Sequence, residues 1–101
     1  MTILVTGSFD LDPAKRDDFI AAAQACQAAS RQDEGCESYT FCADLDDPGR
    51  FHVSEQWASK EAMDAHMGQP HMAAFMGAMG GFGVTGASLT KWEGATGSKL
   101  M

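Results

Sequence analysis

Residues 2–10 alternate apolar and polar positions, with Ile3, Val5 and Phe9 on one parity and Gly7 between them. That period of two is the pattern of a half-buried strand. Asp12 followed by Pro13 marks a helix start. The carboxylate can accept from an unpaired backbone N–H, and a proline at the first helical position forfeits no hydrogen bond. Phe19, Ala22, Ala23, Cys26, Ala29 and Ser30 then fall at offsets 0, 3, 4, 7, 10 and 11. They make one helical stripe whose small side chains let the helix lie close to a sheet. Its end is expected near Glu34–Gly35, where glycine accepts the left-handed cap conformation.

Residues 36–44 and 50–57 read as the two strands of a hairpin, joined through the turn formers Asp46-Asp47-Pro48-Gly49. On the second strand Phe51, Val53, Glu55 and Trp57 share one face, and His52, Ser54 and Gln56 the other. Ser59 can cap a short helix with Glu61 in its first turn and Ala62, Met63, His66 and Met67 facing inward. Gly68 breaks that helix. Pro70 opens another, in which Met72, Phe75, Met76 and Met79 sit at offsets 0, 3, 4 and 7. Gly80–Gly86 reads as a loop and 84–92 as a last strand. The order β-α-β-β-α-β predicts a ferredoxin-like α+β fold, an antiparallel sheet with helices on one face. The domain should occupy residues 1–93, with 94–101 a flexible tail. The bare face, carrying His52, Ser54 and Gln56, would be covered by a second copy, so a symmetric homodimer is expected.

Charge narrows the partners. The 101-residue chain has a net charge of −7, and its 7 Lys and Arg are scattered. Nucleic acid is excluded, because neutralising phosphates needs clustered cations, and an anionic membrane surface is disfavoured. No apolar run approaches the roughly 18 residues of a membrane span, and no signal peptide is visible. Cys26, Cys36 and Cys42 are odd in number with no close pair, which points to reduced thiols in a cytoplasmic protein.

Several possible chemistries fall away on spacing. The glycines at 77, 80, 81, 83 and 86 follow a helix and precede a strand, the reverse of a dinucleotide fingerprint, so they read as a flexible connection. His66 and His71 are five apart across Gly68, not the i, i+4 spacing of a helical zinc pair, and no Cys-x-x-Cys exists. No metal site and no cofactor is expected. Ser38, Ser54 and Ser59 lack a nucleophile elbow, and nothing near Cys36 or Cys42 lowers a thiol pKa. Met63, Met67, Met72, Met76 and Met79 suit either a core or the lining of a pocket for a flat apolar ligand.

The informative set is Tyr39, Glu55, Trp57, His66, His71 and Phe75. A carboxylate on a mainly apolar strand face must find a partner or raise its pKa. A strand-end contact would satisfy Glu55 equally well. For each histidine a hydrogen-bonded structural role competes with catalysis. Convergence of these groups between sheet and helices would make a ligand pocket.

Three blocks carry a family resemblance. Glu34-Gly35-Cys36-Glu37-Ser38-Tyr39 is similar to the E-G-C-x-x-Y lead-in to the second strand of antibiotic biosynthesis monooxygenase domains. Glu55-Gln56-Trp57-Ala58-Ser59 resembles their E-x-W-x-S strand end. Asp64-Ala65-His66-Met67 through Pro70-His71-Met72-Ala73-Ala74-Phe75 resembles their A-H-x-x-x-P-H-x-x-x-F helix pair. Order and spacing are kept across nearly the whole chain, most weakly over 80–101, and the likeness is nearest to the small quinol-monooxygenase-like branch. The resemblance implies a dimeric α+β barrel of ferredoxin-like subunits. Some members oxygenate polycyclic phenols or quinols with O₂ and no metal or flavin; others degrade haem, and others isomerise or cleave small sugar-derived signals. The haem branch keeps an Asn on the first strand, where this chain has Gly7 and Ser8, and a ligating His at the position of Met76. Only Trp57 matches, so haem degradation is not expected.

Residues and resemblance together predict a cofactor-independent monooxygenase acting on a small aromatic quinol or phenol. Triplet O₂ reacts poorly with closed-shell molecules, but an electron-rich phenolate can give it one electron and recombine. The protein need only bind, deprotonate and exclude water. His71 is expected as the base, with His66 as alternate, and Tyr39 and Glu55 as positioning groups. Trp57 and Phe75 would stack on the ring, and Met63, Met72 and Met76 would line the pocket. The alternatives are an isomerase or lyase using the same histidines on a small carbonyl compound, or a non-catalytic binding dimer. Oxygen consumption separates them.

Overall fold

The computed structural model describes residues Met1 to Met101. Four strands, β1 (Ile3–Asp10), β2 (Cys36–Ala43), β3 (Arg50–Trp57) and β4 (Gly86–Glu93), form one antiparallel sheet in the order β2-β3-β1-β4. Helix α1 (Arg16–Ser30) connects β1 to β2, while α2 (Lys60–Met67) and α3 (Pro70–Ala78) connect β3 to β4. This is the ferredoxin-like α+β arrangement, with the second helix broken as the Gly68 and Pro70 positions require.

Local chemistry sets most boundaries. The Asp12 side chain accepts the Ala14 N–H at 2.9 Å, but it caps a 3-10 turn over Pro13–Lys15 that precedes α1. Helix α1 ends at Ser30, earlier than expected, and turns lead from there to Gly35 at φ +79°. A Cβ at Gly35 would lie 2.5 Å from the Ala62 Cβ, so both the backbone and the close approach of α2 demand glycine. In the β2–β3 hairpin, Asp44 accepts the Asp46 and Asp47 N–H groups and Asp47 accepts that of Gly49. These aspartates close the turn by substituting for backbone acceptors. The Ser59 hydroxyl accepts the Ala62 N–H at 3.1 Å and starts α2.

The strand registers put Ile3, Val5 and Phe9, then Tyr39 and Phe41, then Phe51, Val53, Glu55 and Trp57 on the helix side. Phe19 of α1 is fully buried among them, its ring centroid 4.6 Å from that of Phe51 and 5.5 Å from that of Phe82. The buried stripe of α1 is Phe19, Ala23, Cys26 and Ser30; Ala22 and Ala29 lie on its half-buried flanks. The helices pack over β2 and β3, so β4 stays exposed over nearly its whole length. That imbalance opens the helix-side surface above β1 and β4. The opposite face of the sheet carries no helix. Residues 95–101 form no helix or strand. No helix is long and apolar enough to cross a membrane.

Candidate functional site

The opening above β1 and β4 is a cavity of about 440 Å³. Its floor comes from Val5, Phe9, Val53 and Glu55, its roof from Met63, Met72, Phe75 and Met79, and its β4 side from Ala87, Leu89 and Lys91. Met67 and Met76 also line it, and both are more than half exposed, which puts them at its rim. Methionines recur at i, i+4 on both short helices, so one thioether-rich surface spans the break between them.

Glu55 is the one carboxylate on this apolar wall, only 7% exposed. Its Oε1 accepts the indole N–H of Trp57 at 3.0 Å. Residues two apart on a strand share a face, so the Glu-x-Trp spacing itself makes that bond. Burial pushes the Glu55 carboxyl pKa up; the Trp57 hydrogen bond and the neighbouring His66 oppose this less strongly. A carboxyl so placed can hold or take a proton nearer neutrality than an ordinary glutamate.

Tyr39 lines the cavity too, but its hydroxyl lies 3.7 Å from the Cys26 Sγ on α1. Burial pushes its phenol pKa far up, so it remains neutral. The Cys26 and Cys36 thiol pKa values are likewise raised, chiefly by burial, which leaves neither as a ready thiolate.

The histidines belong to a different neighbourhood. His66 Nδ1 lies 2.7 Å, and His71 Nε2 2.8 Å, from the same oxygen, Oδ2 of Asp33. His66 is 1% exposed, and its ring lies 4.5 Å from that of Trp57 and 5.5 Å from that of Tyr39. His71 faces a groove between α1 and α3 with Ala22, Cys26 and Ala74. The expected convergence of both histidines with Glu55 in one pocket is therefore corrected. The turn at Gly68–Gln69 rotates α3 relative to α2, and a carboxylate from the α1 side captures both rings. Trp57 is fully buried against His66 and does not line the cavity, so it cannot stack on a ligand there. Tyr39, Glu55, Met63, Met72, Phe75 and Met76 do line it.

Sequence reasoning missed Asp33 and Lys91. Asp33 had one signal: an acid just past the C-terminus of α1 runs against the helix dipole, so it needs a partner elsewhere. Lys91 lines the cavity while its Nζ lies 2.9 Å from Glu93 Oε1. The third histidine, His52, pairs with Asp44 at the surface at 2.8 Å. That hydrogen bond, with the two turn N–H groups, pulls the Asp44 pKa down to about 2. Asp33, His66 and His71 also present three potential metal-ligating atoms within 4.8 Å of one another. Spacing along the chain excluded such a set only because the third donor lies more than thirty residues upstream.

Residues 2–78 match the family described as Antibiotic biosynthesis monooxygenase. The chain is 34% identical over 74 residues to the uncharacterized protein sll1783 of Synechocystis sp., covering 73% of this chain and 50% of that one. It thus spans about half the length of that relative. It is 27% identical over 74 residues to YcnE of Bacillus subtilis, a monooxygenase candidate by its name, over 73% of this chain and 78% of that one. Among solved structures, a candidate antibiotic biosynthesis monooxygenase from Deinococcus radiodurans superposes with a TM-score of 0.90 over 98% of both chains, at 24% identity. At that identity the likeness speaks for the fold.

Proposed function

The chain belongs to the antibiotic biosynthesis monooxygenase family, and from that premise we propose that it oxygenates a small aromatic quinol or phenol with O₂, without metal or flavin. One observation carries this reading: a buried carboxyl of raised pKa is the one acid on the wall of a mainly apolar, methionine-lined cavity. Glu55 removes the proton from the bound substrate. The resulting electron-rich anion gives one electron to O₂, and the radical pair recombines as a hydroperoxide. Loss of water leaves a carbonyl, so a CH₂ group and O₂ become C=O and H₂O. Phe75, Met63 and Met72 hold the ring and keep water out. Glu55 takes the base role here in place of His71, because it is the group that reaches the cavity.

The working unit in this reading is a homodimer paired through the helix-free sheet face. Trp92, more than half exposed on that face beside Leu4, supports it. Three free cysteines support a reducing, cytoplasmic setting.

The test is O₂ uptake by chelator-treated protein against a panel of quinols, anthrones and flavonoid-like phenols, with Glu55→Gln beside it. Saturable uptake that falls in the variant is the expected result. No uptake across the panel, with proton exchange on small carbonyl compounds instead, would overturn the reading in favour of an isomerase or lyase.

A further inference from the structure

We propose that Asp33, His66 and His71 form a binding site for one divalent transition-metal ion of the zinc or cobalt class. The site lies outside the methionine-lined cavity, and the inference does not rest on the monooxygenase reading. Its donors come from three separate elements: the turn after α1, the last turn of α2 and the first turn of α3. A bound ion would tie all three together.

The donor set defines the ion. Two imidazole nitrogens and one carboxylate oxygen suit zinc-like ions and leave a coordination position for water. Calcium and magnesium prefer all-oxygen shells. Metal–ligand bonds of about 2.0–2.2 Å in tetrahedral geometry set donors roughly 3.3 Å apart. Here the two nitrogens stand 2.7 and 2.8 Å from Asp33 Oδ2, and all three atoms lie within 4.8 Å. The two nitrogens are the pair that spans up to 4.8 Å, so seating the ion needs the partly exposed His71 ring to swing toward His66 as the carboxylate withdraws by about half an ångström. Asp33 is on a turn outside any helix or strand, where such a shift is accommodated.

One of the two rings is held in place: Trp57 and Tyr39 fix His66 from two sides. In the metal-free chain Nδ1 donates its proton to Asp33 Oδ2. An ion at Nδ1 would replace that proton, which moves to Nε2, the ring nitrogen that is buried with no hydrogen-bond partner. A route also exists. Asp33 and His66 border an open cavity of about 420 Å³ that also presents Glu34, Glu61 and Gln69 but no Lys or Arg. Its negative lining concentrates cations at the site.

Tag-free, chelator-treated full-length protein should be titrated with Co²⁺ while visible absorption and thermal unfolding are followed. One ion per chain, ligand-field bands of a nitrogen–oxygen site and a rise in Tm are expected. Mg²⁺ should produce no shift in Tm. His71→Ala should weaken Co²⁺ binding by at least about tenfold. His71→Gln should do the same while keeping an N–H donor for Asp33, which covers the case in which the alanine variant does not fold. His52→Ala should bind as the parent does. Absence of bands and of a Tm shift at millimolar Co²⁺ would overturn the proposal and leave the trio a hydrogen-bonded clamp. Unchanged binding in both His71 variants would overturn it as well.

Discussion

The α2–α3 pair separates a buried carboxylate, Glu55, from a partly buried one, Asp33, with opposite surroundings. Glu55 faces thioethers and phenyl rings, with one neutral donor from its own strand. Asp33 has two imidazoles on a single oxygen, from residues 33 and 38 positions away. The first group is left with capacity to exchange a proton with whatever enters the cavity. The second, in the metal-free chain, holds the helices together through both rings. Burial alone therefore does not mark a reactive carboxylate; what matters is whether the surrounding donors already occupy it.

The sharpest way to break this comparison is Glu55→Gln. It keeps the acceptor for the Trp57 N–H and removes the base. Turnover should fall about 10²–10⁴-fold, the usual worth of general-base help, with a much smaller loss in His71→Ala. A reversed order would return the base role to the histidines. Stability should move the other way. The folded pKa of Glu55 is raised, so the folded state keeps this proton to higher pH than the unfolded chain does. Parent stability therefore declines as pH rises from the ordinary carboxylate pKa through the raised value. The glutamine variant should lack that decline. Melting curves across this window test it, and the pH dependence of kcat/KM should rise through the same raised pKa.

Asp33→Ala probes the other side. It strips the acceptor from two imidazoles, one of them nearly inaccessible to solvent. Leaving buried donors unpaired costs about 1–3 kcal/mol, measurable by urea unfolding. If that variant instead lost turnover as fully as Glu55→Gln at unchanged stability, the division between a reactive and a structural carboxylate would fail.

The same division explains what was legible in the sequence. The strands and the Asp12, Ser59 and Pro70 helix starts depend on neighbours within a few residues, and local patterning carries them; the glycine cap expected at Gly35 does not form, because α1 ends at Ser30 and Gly35 serves the turn against α2. Glu55 beside Trp57 was readable from the same local patterning. The fate of His66 and His71 was not. Helical offsets do not carry across the Gly68–Gln69 break, so the rotation of α3 is set by packing on α1. Asp33 reaches both rings only after the sheet has brought the end of α1 beside α2. The openness over β4 was also hidden, because strand parity says which face a residue takes but not how far the helices extend across it.

The smallest expected effect sharpens the comparison most cleanly. His52 and Asp44 repeat the histidine–carboxylate contact of His71 and Asp33 at the same 2.8 Å, but at the surface of the β2–β3 hairpin. Asp44 has its pKa depressed to about 2, so its stabilising contribution is present above the ordinary carboxylate pKa and is lost as pH falls toward 2. Solvent screens such an exposed pair. His52→Ala should therefore move the Asp44 titration upward, visible by NMR of its side-chain carboxyl. It should barely change urea unfolding at neutral pH, while Asp33→Ala changes it clearly. Equal losses in the two variants would mean that the imidazole–carboxylate contact itself, and not its burial between three helices, sets the cost.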